Sequence, residues 1–158
     1  MSLLDLVMYA ALLVVCAAAW ARGQRPERLA ATILFAMFVV NVVPGWRALA
    51  TGEPIAVYSA SATLAVDIVA LAGFIAVAVS SKPSWTLFAA AFQLIATLIS
   101  FVRLTDESLS PLAYFTSQNT LWWLTLAALA FGVWNASSAR RRAAALSPSP
   151  EGGVRTRA

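Results

Sequence analysis

Between Pro54 and Ser80 the chain carries one long apolar run, and a single carboxylate, Asp67, interrupts it almost at its midpoint. As a helix, a run of this length crosses a hydrocarbon core of about 30 Å, which puts Asp67 near mid-depth. Four further apolar segments, short loops and basic segment ends surround it. Of the 158 residues, 61% are hydrophobic and 11% charged, where a soluble domain has roughly 45–50% and about 25%. That excess is too large for one water-exposed core, so lipid is the expected solvent. The length allows one domain.

The first apolar segment runs from residue 3 to 20 and the second from 27 to 43, stopping at Pro44-Gly45. The third spans 54–80, the fourth 84–104 and the fifth 111–135. Ala17-Ala18-Ala19 has the look of a signal-peptidase site. The first residues, however, carry Asp5 and no Lys or Arg, so the segment is expected to be retained as a helix. Cys16 follows the bulky Val15 and reads as a small buried thiol. Proline marks the boundaries independently. Pro26, Pro54, Pro83 and Pro111 recur at intervals of 28, 29 and 28 residues, each at the start of an apolar run, where a missing N–H costs nothing. That interval is one crossing plus a short turn.

Basic residues orient the segments. With the amino terminus outside, nine cations fall inside (Arg22, Arg25, Arg28, Lys82, Arg140, Arg141, Arg142, Arg155 and Arg157) and two outside, Arg47 and Arg103. This is the positive-inside pattern. The aromatic belts expected at the interfaces are Trp20, Trp85 and Trp134 on the inner side, and Trp46, Tyr58 and Tyr114 on the outer. The predicted fold is therefore all-α: an up-and-down bundle of five transmembrane helices in a bacterial-type inner membrane, amino terminus out and carboxyl terminus in. Residues 1–135 form the bundle. Residues 136–158 read as a disordered basic tail, with Arg140, Arg141 and Arg142 against anionic headgroups at roughly 1 kcal/mol per charge.

Absent residue types restrict the chemistry. There is no histidine and one cysteine, which removes histidine-based haem, zinc and triad chemistry and any internal disulfide. No cofactor or metal is expected. The net charge of +4 is explained by topology, and without an aromatic-interleaved basic patch nucleic acid is not an expected partner.

Asp67 is the sharpest feature, because a carboxylate at the centre of a spanning helix costs about 2.5–3.5 kcal/mol to insert. Two readings stand. In one it is a protonated acid that donates a hydrogen bond and holds the bundle together; in the other it serves a ligand, proton or partner. Depth arithmetic at 1.5 Å per residue makes Gln93 its first candidate partner. Arg103 is too far along the axis for an ion pair with Asp67 and suits Asp106 or Glu107 better. Ser59, Thr63 and Asp67 share one face of segment three, and Gln93, Thr97 and Ser100 share one of segment four. Thr116, Asn119 and Thr120 lie at outer depth on segment five. If these faces meet, the outer half holds a polar seam or an outward-facing pocket floored by Asp67 and Gln93. From Ile68 to Val79 no polar side chain continues it, so a continuous conduit is disfavoured.

Ala128, Gly132 and Ala136 form a small-residue series that permits close helix approach, within the monomer or toward another chain. In outline, five helices with 6 tryptophans resemble the porphyrin-binding tryptophan-rich sensory protein (translocator) family. The first loop, Arg22-Gly23-Gln24-Arg25-Pro26-Glu27-Arg28, lacks that family's aromatic–proline cluster, and no residue role is carried over. The leading functional expectation is a non-enzymatic accessory or scaffold subunit that packs against a larger membrane complex or its own copies. The alternative is binding or transport of a small ligand. One carboxylate without His, Cys or a second acid is a poor catalytic set.

Overall fold

The computed structural model describes residues 3–51, 60–106 and 110–146. Ser59, Glu107 and everything beyond Leu146 lie outside these. The described chain is all helical: α1 (Leu3–Arg22), α2 (Arg25–Thr51), α3 (Ala60–Ser80), α4 (Trp85–Thr105) and α5 (Pro111–Leu146). Consecutive helices pack on one another, α5 returns against α1, and α2 also touches α5. The bundle is thus a ring closed by its first and last members.

Side-chain pairs set the directions. Tyr9 meets Phe38 while Cys16 reaches the Ala31 carbonyl, so α1 and α2 run antiparallel. Asp67 lies beside Thr97 and Ser81 beside Thr86, which makes α3 and α4 antiparallel as well. Ser100 beside Tyr114 and Trp85 beside Gly132 do the same for α4 and α5.

Each helix buries a stripe at steps of three and four residues, the period that keeps side chains on one face. On α1 the stripe is Leu12, Cys16 and Ala19; on α3 it is Asp67, Ala70, Phe74 and Val77. The centre is built from Leu12, Cys16, Leu34, Phe74 and Leu129 with small residues between them. The opposite faces are apolar too. Val14, Val69, Val79, Phe88 and Leu112 are all more than half exposed, the inverse of a water-facing amphipathic helix.

Two stretches, Ser61–Ser80 and Trp85–Thr105, are long and apolar enough to cross a membrane by length and composition, at mean hydropathy 2.4 and 1.9. Five such spans were expected, and among the described residues two meet that measure. The apolar part of α1, Leu6–Arg22, is shorter. Helix α2 opens on Arg25, Glu27 and Arg28, and α5 is interrupted by the polar run Thr116–Thr120.

Two predicted boundaries are corrected. Helix α2 passes through Pro44-Gly45 and ends at Thr51. Proline removes one N–H from the ladder, and Arg47-Ala48-Leu49-Ala50 beyond it are strong helix formers that resume the turn. Helix α5 does not stop at Asn135 but runs to Leu146. The Ala/Ser/Arg composition that suggested a disordered tail from residue 136 is also rich in helix-favouring Ala and Arg, and Arg140, Arg141 and Arg142 stand exposed on that extension.

Candidate functional site

Asp67 is buried where α3, α4 and α5 meet, and its polar neighbours form a connected set. The Ser100 hydroxyl donates to Asp67 Oδ2 at 2.5 Å, and Gln93 Nε2 donates to Oδ1 at 3.5 Å. Thr97 Oγ1 donates to the Gln93 carbonyl at 2.8 Å and lies 3.4 Å from the Asp67 carbonyl. From α5, Gln118 Nε2 donates to Ser100 Oγ at 2.8 Å and to the Ala96 carbonyl at 3.3 Å. The Tyr114 hydroxyl is 3.5 Å from Ser100 Oγ. The Arg103 guanidinium then covers the Tyr114 ring, 4.3 Å from its centroid, a cation–π contact that caps the set at the end of α4.

Of the sequence-predicted seam, Asp67, Gln93, Thr97 and Ser100 therefore come together. Thr63 is half-buried one turn away and takes no part. Depth arithmetic placed Asp67 level with Gln93, whereas its backbone sits level with Thr97, one turn further along α4. That displacement brings Ser100 into reach as the closest partner. Gln118 and Tyr114 were not singled out for this set. The signal was present: Tyr114, Gln118, Trp122 and Thr125 follow one another at steps of four, four and three on α5. Tyr114 was assigned to an outer belt and Trp85 to an inner one, but both are buried, Tyr114 by the contact with Ser100 and Trp85 by a notch on α5.

Gly132 makes that notch. A Cβ there would come within 2.6 Å of the Trp85 indole, so any side chain would have to displace the ring. Ala136 is buried and Ala128 half-buried in the same packing. The Ala128, Gly132, Ala136 series is thus at least partly a seat for α4 within the chain.

Beside Asp67 and Gln93 there is a void of about 10 Å³, bordered also by Met37, Gln118, Trp122 and Thr125. It is scarcely room for one water molecule. The space lies elsewhere. Between α1, α2 and the first turns of α5 an open crevice of about 520 Å³ is lined by Tyr9, Phe38, Asn41, Thr116, Asn119 and Trp122, among others. Asn119 belongs here and not with Asp67. Among the described residues no charged side chain lines the crevice. Asn41 Nδ2 donates to the Met37 carbonyl at 2.8 Å, and the Gln118 amide nitrogen is committed to Ser100 and Ala96. The oxygens of both amides are left to accept. Gln118 and Trp122 border both the crevice and the Asp67 void, so they form the wall between them.

Set beside protein-family models, curated proteins and solved structures, the chain matches none of them.

Proposed function

We propose that this chain is a polytopic protein of a bacterial-type inner membrane, with all five helices crossing the bilayer, amino terminus outside and carboxyl terminus inside. It acts there as a non-enzymatic accessory or scaffold subunit, packed against a larger membrane complex or its own copies. The observation that carries this reading is the contrast between inside and outside. Large apolar side chains cover the outward faces of all five helices, from Val14 on α1 and Val39 on α2 to Val79, Phe88 and Leu112. The one mid-depth acid is meanwhile bonded through both oxygens to its neighbours. Such an acid serves as a bundle tie, and the apolar outer faces favour lipid and other helices as contacts.

Single-cysteine labelling from either side of sealed vesicles tests the topology in a Cys16→Ala background. The ends must label from opposite sides. Native mass measurement after mild detergent extraction tests the subunit role: a protein partner or a second copy is expected in the complex, and a bare monomer would remove this reading.

A second reading rests on the 520 Å³ crevice, which falls in the roughly 300–1,000 Å³ range of small-molecule sites. Among the described residues its lining is aromatic and uncharged, with the amides of Asn41, Gln118 and Asn119 on its wall. That chemistry selects a neutral, flat molecule bearing O–H or N–H donors. Mass spectrometry of small molecules extracted from the purified protein should find one in the parent chain and lose it in Asn119→Leu. Retention by both proteins would remove the crevice as the binding place.

A further inference from the structure

At the opposite end from the crevice, the turns α1–α2 and α3–α4 come together around a second hollow of about 440 Å³. Arg25 and Gln24 of the first turn and Lys82 and Ser81 of the second line it, with Leu29 and the rings of Pro26 and Pro83 as its apolar side. We propose that this hollow binds the phosphate-bearing headgroup of an anionic phospholipid, with Arg25 and Lys82 as the charge partners and Leu29 as the seat for the first methylenes of an acyl chain.

The local structure presents those two cations and withholds the other polar groups. Gly23 packs so tightly on the Ala19 carbonyl that a Cβ there would collide with it, which keeps the first turn short. Within the turn the Gln24 N–H donates to Glu27 Oε2 at 2.8 Å, and Glu27 is buried at 2% exposure. The Glu27 carboxylate is thus occupied under the backbone. Arg28 is also engaged, its Nε donating to the Gly23 carbonyl at 3.1 Å. Ser80 and Ser81 spend their hydroxyl protons on the Ala76 and Val77 carbonyls, at 2.6 and 2.5 Å.

Arg25 and Lys82 make no such bond among the described residues, are exposed, and come from different turns. A single anion between them is held from two sides, and basic hollows between helices on the inner face suit acidic headgroups. The apolar side distinguishes a lipid from free phosphate. Leu29 is 44% exposed, and Val79, at the end of α3, is 83% exposed. A free ion has no use for that surface, whereas an acyl chain covers it.

The inference rests on the membrane reading above, and the test separates the two. The purified full chain in neutral detergent is titrated with phosphatidylglycerol, phosphatidylcholine or inorganic phosphate and followed by native mass spectrometry. One phosphatidylglycerol per chain is expected to bind saturably, in preference to phosphatidylcholine. Arg25→Gln/Lys82→Gln should weaken it roughly thirtyfold. The charge-conserving Arg25→Lys/Lys82→Arg should restore it, which excludes misfolding as the cause. Arg140→Gln/Arg141→Gln/Arg142→Gln should leave the saturable site intact, because those arginines lie on the α5 extension. Equal binding of phosphatidylcholine, or an unchanged Arg25→Gln/Lys82→Gln protein, overturns the proposal. Displacement by inorganic phosphate at equal concentration overturns its lipid part. Alkaline carbonate extraction of native membranes decides the spanning reading on its own: release of the chain defeats that reading, whereas retention without lipid preference defeats only this one.

Discussion

Two clusters of polar and aromatic residues share a wall in this bundle and are built to opposite ends. Around Asp67, six polar side chains from α3, α4 and α5 meet each other with hardly room for a water. Around Asn119 and Asn41, similar amide and hydroxyl groups face a 520 Å³ opening. Apart from the acid at the centre of the first, residue type does little to separate them. What separates them is whether each donor and acceptor already has a partner. A satisfied network fixes helices relative to one another, whereas the Asn41 and Asn119 amides border open space beside aromatic rings. Gln118 stands between the two, its amide nitrogen spent on the first and its side chain bordering the second.

Substitutions tell the two regions apart. Asp67→Leu should have the largest effect, because it strips Gln93 and Ser100 of their acceptor; a loss of about 2 kcal/mol is expected, read as unfolding in mixed detergent with sodium dodecyl sulfate. If Asp67→Leu is as stable as the parent, the network is not what holds the helices. Ser100→Ala removes the shared node and should cost about 1 kcal/mol, near the usual worth of an interhelical hydrogen bond in a membrane. Gln118→Ala should cost somewhat less, but it also opens the wall, so ligand retention and stability should change together. That joint response sharpens the contrast, since no other position borders both regions except Trp122. Asn119→Ala should be the mildest for stability, within about 0.5 kcal/mol, while abolishing retention of any crevice ligand. A loss of stability as large as that of Ser100→Ala would mean the crevice is held together as the network is.

Much of this arrangement was legible in the chain. Proline spacing and apolar runs located five helices, and steps of four and three put Gln93, Thr97 and Ser100 on the face that meets Asp67. Cys16 was read as a small buried thiol and is fully buried. The depth estimate for Asp67 came within one turn.

Other features depended on contacts between helices that periodicity does not encode. Trp85 and Tyr114 look like interfacial aromatics along the sequence, and only the notch at Gly132 and the hydroxyl of Ser100 draw them inward. The crevice arises where three helices part, so no single stretch announces it. The extension of α5 and the passage of α2 through Pro44 show local helix propensity prevailing over composition and over one missing N–H.

The return of α5 against α1 has a mechanical result. Every other junction around the ring is tied by a connecting segment, but the first and last rods are joined by contact alone. They also run the same way, as an odd number of alternating rods requires. Parting them strains no covalent link, so that junction rests on side-chain packing alone. The Asn119 crevice, lined from α1, α2 and α5, opens beside that junction and apart from the Asp67 tie between α3 and α4.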